Sequence, residues 1–352
     1  MGRVRFFGDR LPSRAAWAVA AFVLTSAPAP AHHSSANFDE KKEIELEGSV
    51  ARFEWANPHA YIFLRAAVPG AAEAVWEIEA APIALLRRLG WSKDSLNAGE
   101  HVVIKAHPPK DATRAEALFV SVTKADGSVL AMSAFVKAAS DRGPNTNAEH
   151  HGLTGTWATL FNPSPDDLFG DDALKYADLW PLTPKATAAV TNFHEESELP
   201  ATQCIPYTAP LLMVIPDVKS IEVRGDSVLI RGEFDNSGRT VHMDATSHAG
   251  AQASVQGHSI GRWEGRTLVI DTEGFIEHRS GNNWSLPSGT RKHLIERLQP
   301  AEDGKGLTYS FELEDAEYLT RVVTGKAEWV YRPDLSYAGE TCNPANARRF
   351  AK

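Results

Sequence analysis

Cysteine is nearly absent from this 352-residue chain, which has only Cys204 and Cys342. A framework of several disulfides is thereby excluded. Neither residue has a neighbour at C-x-x-C spacing, the mark of the common thiolate metal sites. Methionine is scarce as well: past the first residue there are only Met132, Met213 and Met243, which argues against a Met-rich Cu(I) shuttle. No phosphate loop or dinucleotide fingerprint occurs. Asp166-Asp167 and Asp171-Asp172 flank Phe169-Gly170 without the D-x-D-x-D-G pattern and closing Glu of a calcium loop. Past residue 31 no stretch approaches the ~20 apolar residues that a membrane-crossing helix needs. Positive charge is in deficit, with 36 Lys and Arg against 45 Asp and Glu. Such a chain is a poor partner for nucleic acid, because neutralising phosphates takes clustered Lys and Arg.

What is present begins with a leader. Arg3, Arg5, Arg10 and Arg14 precede an apolar stretch from Ala15 to Ser26, too short to span a bilayer. Ala29-Pro30-Ala31 then fits an A-x-A cleavage pattern. The expectation is a signal peptide over residues 1–31, a mature chain starting at His32, and a periplasmic or secreted location. No paired arginine precedes the apolar stretch, and no Cys follows the cleavage pattern for lipid anchoring. The leader carries four Arg and one Asp, so its removal takes the formal net charge from −9 to −12. In an oxidising compartment the two cysteines read as one disulfide, tying the C-terminal tail to the second domain. A two-thiolate metal site is the weaker alternative.

The mature length suggests two domains. Residues 138–152, polar and including His150-His151, have the composition of a linker between a domain over 32–137 and another over 153–352. In the first, short runs at 44–50, 60–67, 74–79, 101–107 and 118–123 have strand character, and Pro82 to Leu89 reads as one helix stopped by Gly90. Five strands and a helix predict a small OB-like β-barrel, with an open sandwich competing. The second domain has strand runs at 220–223, 227–231, 240–243, 267–271, 294–298, 307–313 and 327–331, with one helix near Pro184. The prediction is a mainly β protein whose second domain is a larger antiparallel β-barrel or sandwich.

Several motifs resemble known families. His32-His33-Ser34, Phe38-Asp39, Trp55-Ala56-Asn57-Pro58-His59-Ala60 and the stretch from Pro82 to Trp91 resemble an uncharacterised family of exported bacterial proteins. That family's mature chains start near His-His-Ser and carry an Asn-Pro-His motif. Cys204-Ile205-Pro206, the stretch from Gly257 to Thr272 and Glu296-Arg297 resemble a second uncharacterised exported group, which usually has Asp where this chain has Arg266. Both resemblances imply export and modularity rather than chemistry.

The sharpest chemical expectation concerns His32. As a mature terminus it offers an α-amine and an imidazole to one ion, and a third nitrogen completes a T-shaped brace suited to Cu(II). His59, expected at a strand start, is the natural third ligand, with His33 competing. The logic is similar to that of copper carriers and copper oxygenases whose mature chains begin with His. The plainer alternative is a frayed terminus and a His59 that caps a turn after Pro58.

In the second domain His258, Glu264, Asp271, His293 and Glu296 are the acid–base candidates. Period-two spacing puts Asp271 on one strand face with Thr267 and Val269, where it could orient a general base at His258. The alternative is a tight hairpin over 258–265 with Trp263 in the core. Gly257-His258-Ser259-Ile260-Gly261 matches a nucleophile elbow in letters only, because a strand rather than a helix follows. Trp157, Phe161, Trp180, Phe193, Trp263, Phe275, Trp284, Trp329 and Tyr331 either line an apolar ligand cavity or form the core. The leading expectation is a periplasmic binding or accessory protein. It would hold copper in its first domain and an apolar small molecule or another periplasmic protein at its second. The rival is a periplasmic enzyme: a copper-dependent oxidase, or a hydrolase or isomerase using the second-domain cleft.

Overall fold

A computed structural model of the chain describes residues 37–67, 73–132, 152–160, 180–215, 217–233, 237–335, 337, 339 and 342–349. The leader and its cleavage pattern, His32, His33, nearly all of the expected linker and Phe161 lie outside these residues.

The small domain is built from β1 (Ile44–Glu54), β2 (Tyr61–Ala66), β3 (Ala74–Glu79), β4 (His101–His107) and β5 (Glu116–Lys124), with β6 (Val129–Ala131) added beside β5. β1 is long enough to serve two neighbours. Its first half pairs with β4, and its second half, bent by a bulge between Val50 and Arg52, pairs with β2. Gly48 lies where the two pairings overlap, and a Cβ there would collide with the Arg65 carbonyl. β3 then pairs in parallel with β5, which closes a five-stranded barrel in the order 1-2-3-5-4. This is the OB-like barrel expected, with the helix Ile83–Arg88 between β3 and β4. Pro82 starts that helix and Gly90, at φ +84°, ends it.

Nine strands form the larger barrel: β7 (Gly155–Thr159), β8 (Val218–Val223), β9 (Ser227–Gly232), β10 (Gly238–His242), β11 (His258–Glu264), β12 (Thr267–Glu273), β13 (His293–Pro300), β14 (Gly306–Glu314) and β15 (Val323–Tyr331). They follow one another in chain order, and β15 returns to β7. A closed ring with only antiparallel neighbours needs an even number of strands. Nine therefore force one parallel pair, and it is β10–β11, joined at just Val241↔Ser259 and His242↔Ile260. A parallel pair cannot be linked by a tight turn; here the loop 243–257 makes the crossing.

Alternation fills the barrel. On β14, Leu307, Tyr309, Phe311 and Leu313 are buried, while Thr308 and Glu312 between them are exposed. Trp157, Trp180, Phe275 and Trp329 belong to one core cluster, and Trp284 and Tyr331 pack against it. Trp263 does not: it is 45% exposed near the end of β11, where the alternation that buries Ser259 and Gly261 stops and Arg262, Trp263 and Glu264 are all exposed ahead of the turn. Ion chemistry also enters the lumen. Arg239 of β10 donates two hydrogen bonds, 2.6 and 2.8 Å, to the buried carboxylate of Glu296 on β13, which also accepts one from the Tyr309 hydroxyl. Among the described residues no helix is long and apolar enough to cross a membrane.

Among the described residues the two barrels meet at two places. Arg87 and Arg88 of the small domain's helix reach Glu233 and the Thr159 carbonyl at one end of the larger barrel. On the other side, Cys204 and Cys342 form a disulfide. From Cys342 the chain runs back over the small barrel as a strap. Cys342 bridges Asn57, the Asn343 amide donates to the Asn57 carbonyl, and the Tyr61 hydroxyl donates to the Asn346 carbonyl. The Arg349 guanidinium lies 4.8 Å from the Tyr61 ring centre and pairs with Glu54 and Glu77. The tail is tied to the second domain by the expected disulfide and also packs on the small barrel.

Candidate metal centre

Three of the sequence candidates meet on the outer face of the larger barrel. His258 opens β11, Asp271 lies near the end of β12 and His293 opens β13. Antiparallel pairing sets Ile260 opposite Asp271 and Ile295 opposite Asp271 on its other side, so each histidine is one diagonal step from the carboxylate. His293 Nε2 is 2.9 Å from Asp271 Oδ1. The fourth candidate, Glu264, falls at the other end of β11, six residues or ~20 Å along the strand from His258. There Arg297, and then Arg262, hold its carboxyl below the usual range. Glu296 is turned into the lumen against Arg239.

The crossing loop completes the group. It places His248 over the strands, with Nδ1 2.9 Å from Nδ1 of His258 and Nε2 3.4 Å from Asp271 Oδ1. That Nε2 is closed off from solvent and makes no hydrogen bond. Glu273, opposite His258 in register, brings a second carboxylate, and the ligand atoms of His248, Asp271 and Glu273 lie within 4.8 Å of one another. His242, the last residue of β10, stacks on His258 with ring centres 5.0 Å apart. Burial, and then His242 and His248, push the His258 imidazole below its ordinary proton affinity, which favours the neutral form that ligates metals. Imidazole nitrogens and carboxylate oxygens converging from three segments form a donor set for a borderline divalent ion such as Zn(II), Cu(II) or Ni(II) rather than for Ca(II) or Mg(II).

Sequence reasoning missed His242, His248 and Glu273. The available signal was density: three histidines fall within residues 242–258. Ser259, by contrast, cannot serve His258 as a nucleophile. Neighbours on a strand face opposite ways, and its hydroxyl is buried against Thr272, 2.9 Å away.

In the small barrel His59 lies just before β2, and its Nδ1 is hydrogen-bonded to the Glu79 carboxylate, which also accepts from the Tyr61 hydroxyl. A carboxylate on one ring nitrogen fixes the orientation of the imidazole and raises its strength as a ligand. His32 and His33, its expected companions, lie outside the described residues.

No curated protein and no solved structure matches the chain. Residues 20–117, which include most of the small barrel, match a family described only as a family of unknown function (DUF6152).

Proposed function

We infer that the protein is an exported accessory protein that binds a borderline divalent metal on the outer face of its larger barrel. The observation that carries this reading is the solvent-shielded Nε2 of His248, which faces Asp271 at 3.4 Å without a hydrogen bond, in a group that also holds Glu273 and His258. The disulfide supports export, since such bonds persist in oxidising compartments, and the leader and periplasmic location follow from the same reading. His248 and the carboxylates Asp271 and Glu273 would hold the ion, His258 would supply a further nitrogen, and His293 would steer Asp271 from behind.

Titration calorimetry of the chain from His32 onward with Zn(II) tests it. His293→Ala should weaken binding by about 10–100-fold, the usual effect of losing a group that orients a ligand. His248→Ala and Asp271→Asn should weaken it more. Affinity should fall as pH drops below the ordinary histidine range near 6.5, because ligation needs neutral imidazoles. Unchanged affinity in both His248→Ala and Asp271→Asn would remove the site.

A second reading has its own support. The Glu79 hydrogen bond fixes the ring of His59, the residue expected as third ligand of a copper brace at a mature His32. One extra Ala before His32 blocks the amine chelate, and His59→Ala removes the third nitrogen. Each change should abolish tight Cu(II) binding at that site, as followed by electron paramagnetic resonance. An extended chain with the native spectrum would end this reading.

A further inference from the structure

We propose that the metal site is the outer latch of the larger barrel's parallel seam, so that metal loading controls whether the barrel opens between β10 and β11. The inference rests on the metal-binding reading above and says what that site does for the fold. Every other seam of the barrel has three to eight paired residues, whereas β10–β11 has two. Sub-global opening starts where few backbone hydrogen bonds must break, and here that is the pairing Val241↔Ser259 and His242↔Ile260. The approach is also close. Gly261 of β11 has no side chain, and a Cβ there would collide with Val241 and Met243. The two strands therefore touch through packing as well as through these two pairs.

The seam has two ties beyond that packing. Inside, Arg239 on β10 reaches across the lumen to Glu296 on β13. Outside, the histidines and carboxylates span the same gap. His242 ends β10, His248 belongs to the loop that leaves it, and His258, Asp271 and Glu273 sit on β11 and β12. An ion held jointly by His248 and the β12 carboxylates fastens the crossing loop to the far side of the seam. The far part of the loop stays with the β12 side through Ser254, which pairs with Gly274 and Ile276, so opening the seam draws the stretch from Met243 to His248 away with β10 and dismantles the site. Binding and closure are thus thermodynamically linked: whatever binds only the closed form stabilises it in proportion to its free concentration over Kd.

Hydrogen exchange of the whole chain from His32 onward, read by mass spectrometry with and without Zn(II), measures this directly. With free Zn(II) at 100 times its measured Kd, exchange of amides in 238–243 and 258–262 should slow by about 100-fold, the full linkage for an opening that destroys the site. Amides of β13 and β14, paired over eight residues, are the reference and should change little. In His248→Ala, whose substitution lies in the loop, the slowing should vanish while the exchange of β13 and β14 stays as in the native chain. If calorimetry shows Zn(II) bound but the seam amides do not slow, or all strands slow alike, the latch is wrong and the metal site stands. If Zn(II) does not bind, the site and the latch fall together.

Discussion

Arg239→Met should destabilise the larger barrel by about 3–5 kcal/mol, the cost of leaving one partner of a buried ion pair without its counter-charge. The pair lies inside the barrel, with Arg239 4% and Glu296 0% exposed. Two guanidinium bonds and the Tyr309 hydroxyl satisfy the carboxylate. Burial first, and then the Glu296 charge, hold the Tyr309 phenol far above its usual range, so it remains a donor. Removing the guanidinium takes both of its hydrogen bonds from a fully buried carboxylate, which keeps the Tyr309 hydroxyl and the electrostatic influence of Lys292. Arg239→Met combined with Glu296→Leu removes both charges and should recover most of the loss, since apolar replacements of buried pairs are often neutral or better. Urea unfolding followed by tryptophan fluorescence gives all three values. A single substitution costing under about 1 kcal/mol would show that Glu296 does not depend on the Arg239 counter-charge.

Cys204→Ser with Cys342→Ser should cost about 5 kcal/mol by the chain-entropy estimate for a loop closed across 138 residues. The loop contains β8 to β15, eight of the nine strands of the larger barrel, so its unfolded state gains the freedom. The strap is affected separately. Residues 342–349 lose their covalent anchor while keeping the Asn57, Tyr61 and Arg349 contacts. Differential scanning calorimetry of the double variant should show the larger barrel melting about 10–20 °C earlier, and limited proteolysis should cut the tail first. An unmoved transition would show that the disulfide constrains only the tail.

The strands of both barrels were legible because burial on one face writes a period of two into the sequence, as the run from Leu307 to Leu313 shows. β7 and β11 were not. Gly155–Thr159 is five residues with little alternation, and the motif over 258–265 combines strand residues with a glycine turn that reads as a hairpin corner. The disulfide followed from compartment and count rather than from geometry. Half of the candidate site was legible by residue type: His258, Asp271 and His293 are acid–base side chains in or beside the motif and strand-like runs singled out in the sequence. His248 reaches the site through a loop whose path is set by the need to reverse strand direction once in a nine-membered ring, which no local pattern encodes. Glu264 failed because sequence proximity to a turn says nothing about which end of a strand the site occupies.

The strap changes what counts as the small domain. Its outer face is finished by residues 342–349, so in space it is one unit, but in the chain it is split by the whole of the larger barrel. β7 begins beside the point where β15 ends, with the Arg332 amide bonded to the Thr156 carbonyl, so the larger barrel enters and leaves the small one at one doorway, as an insertion does. A chain that emerges N-terminus first therefore presents Tyr61 and Phe63 without their Arg349 cover until residue 349 is out. The first-made barrel is completed only after the larger one has been made, and a nascent chain or one truncated before residue 342 lacks the Arg349 cover of that aromatic face.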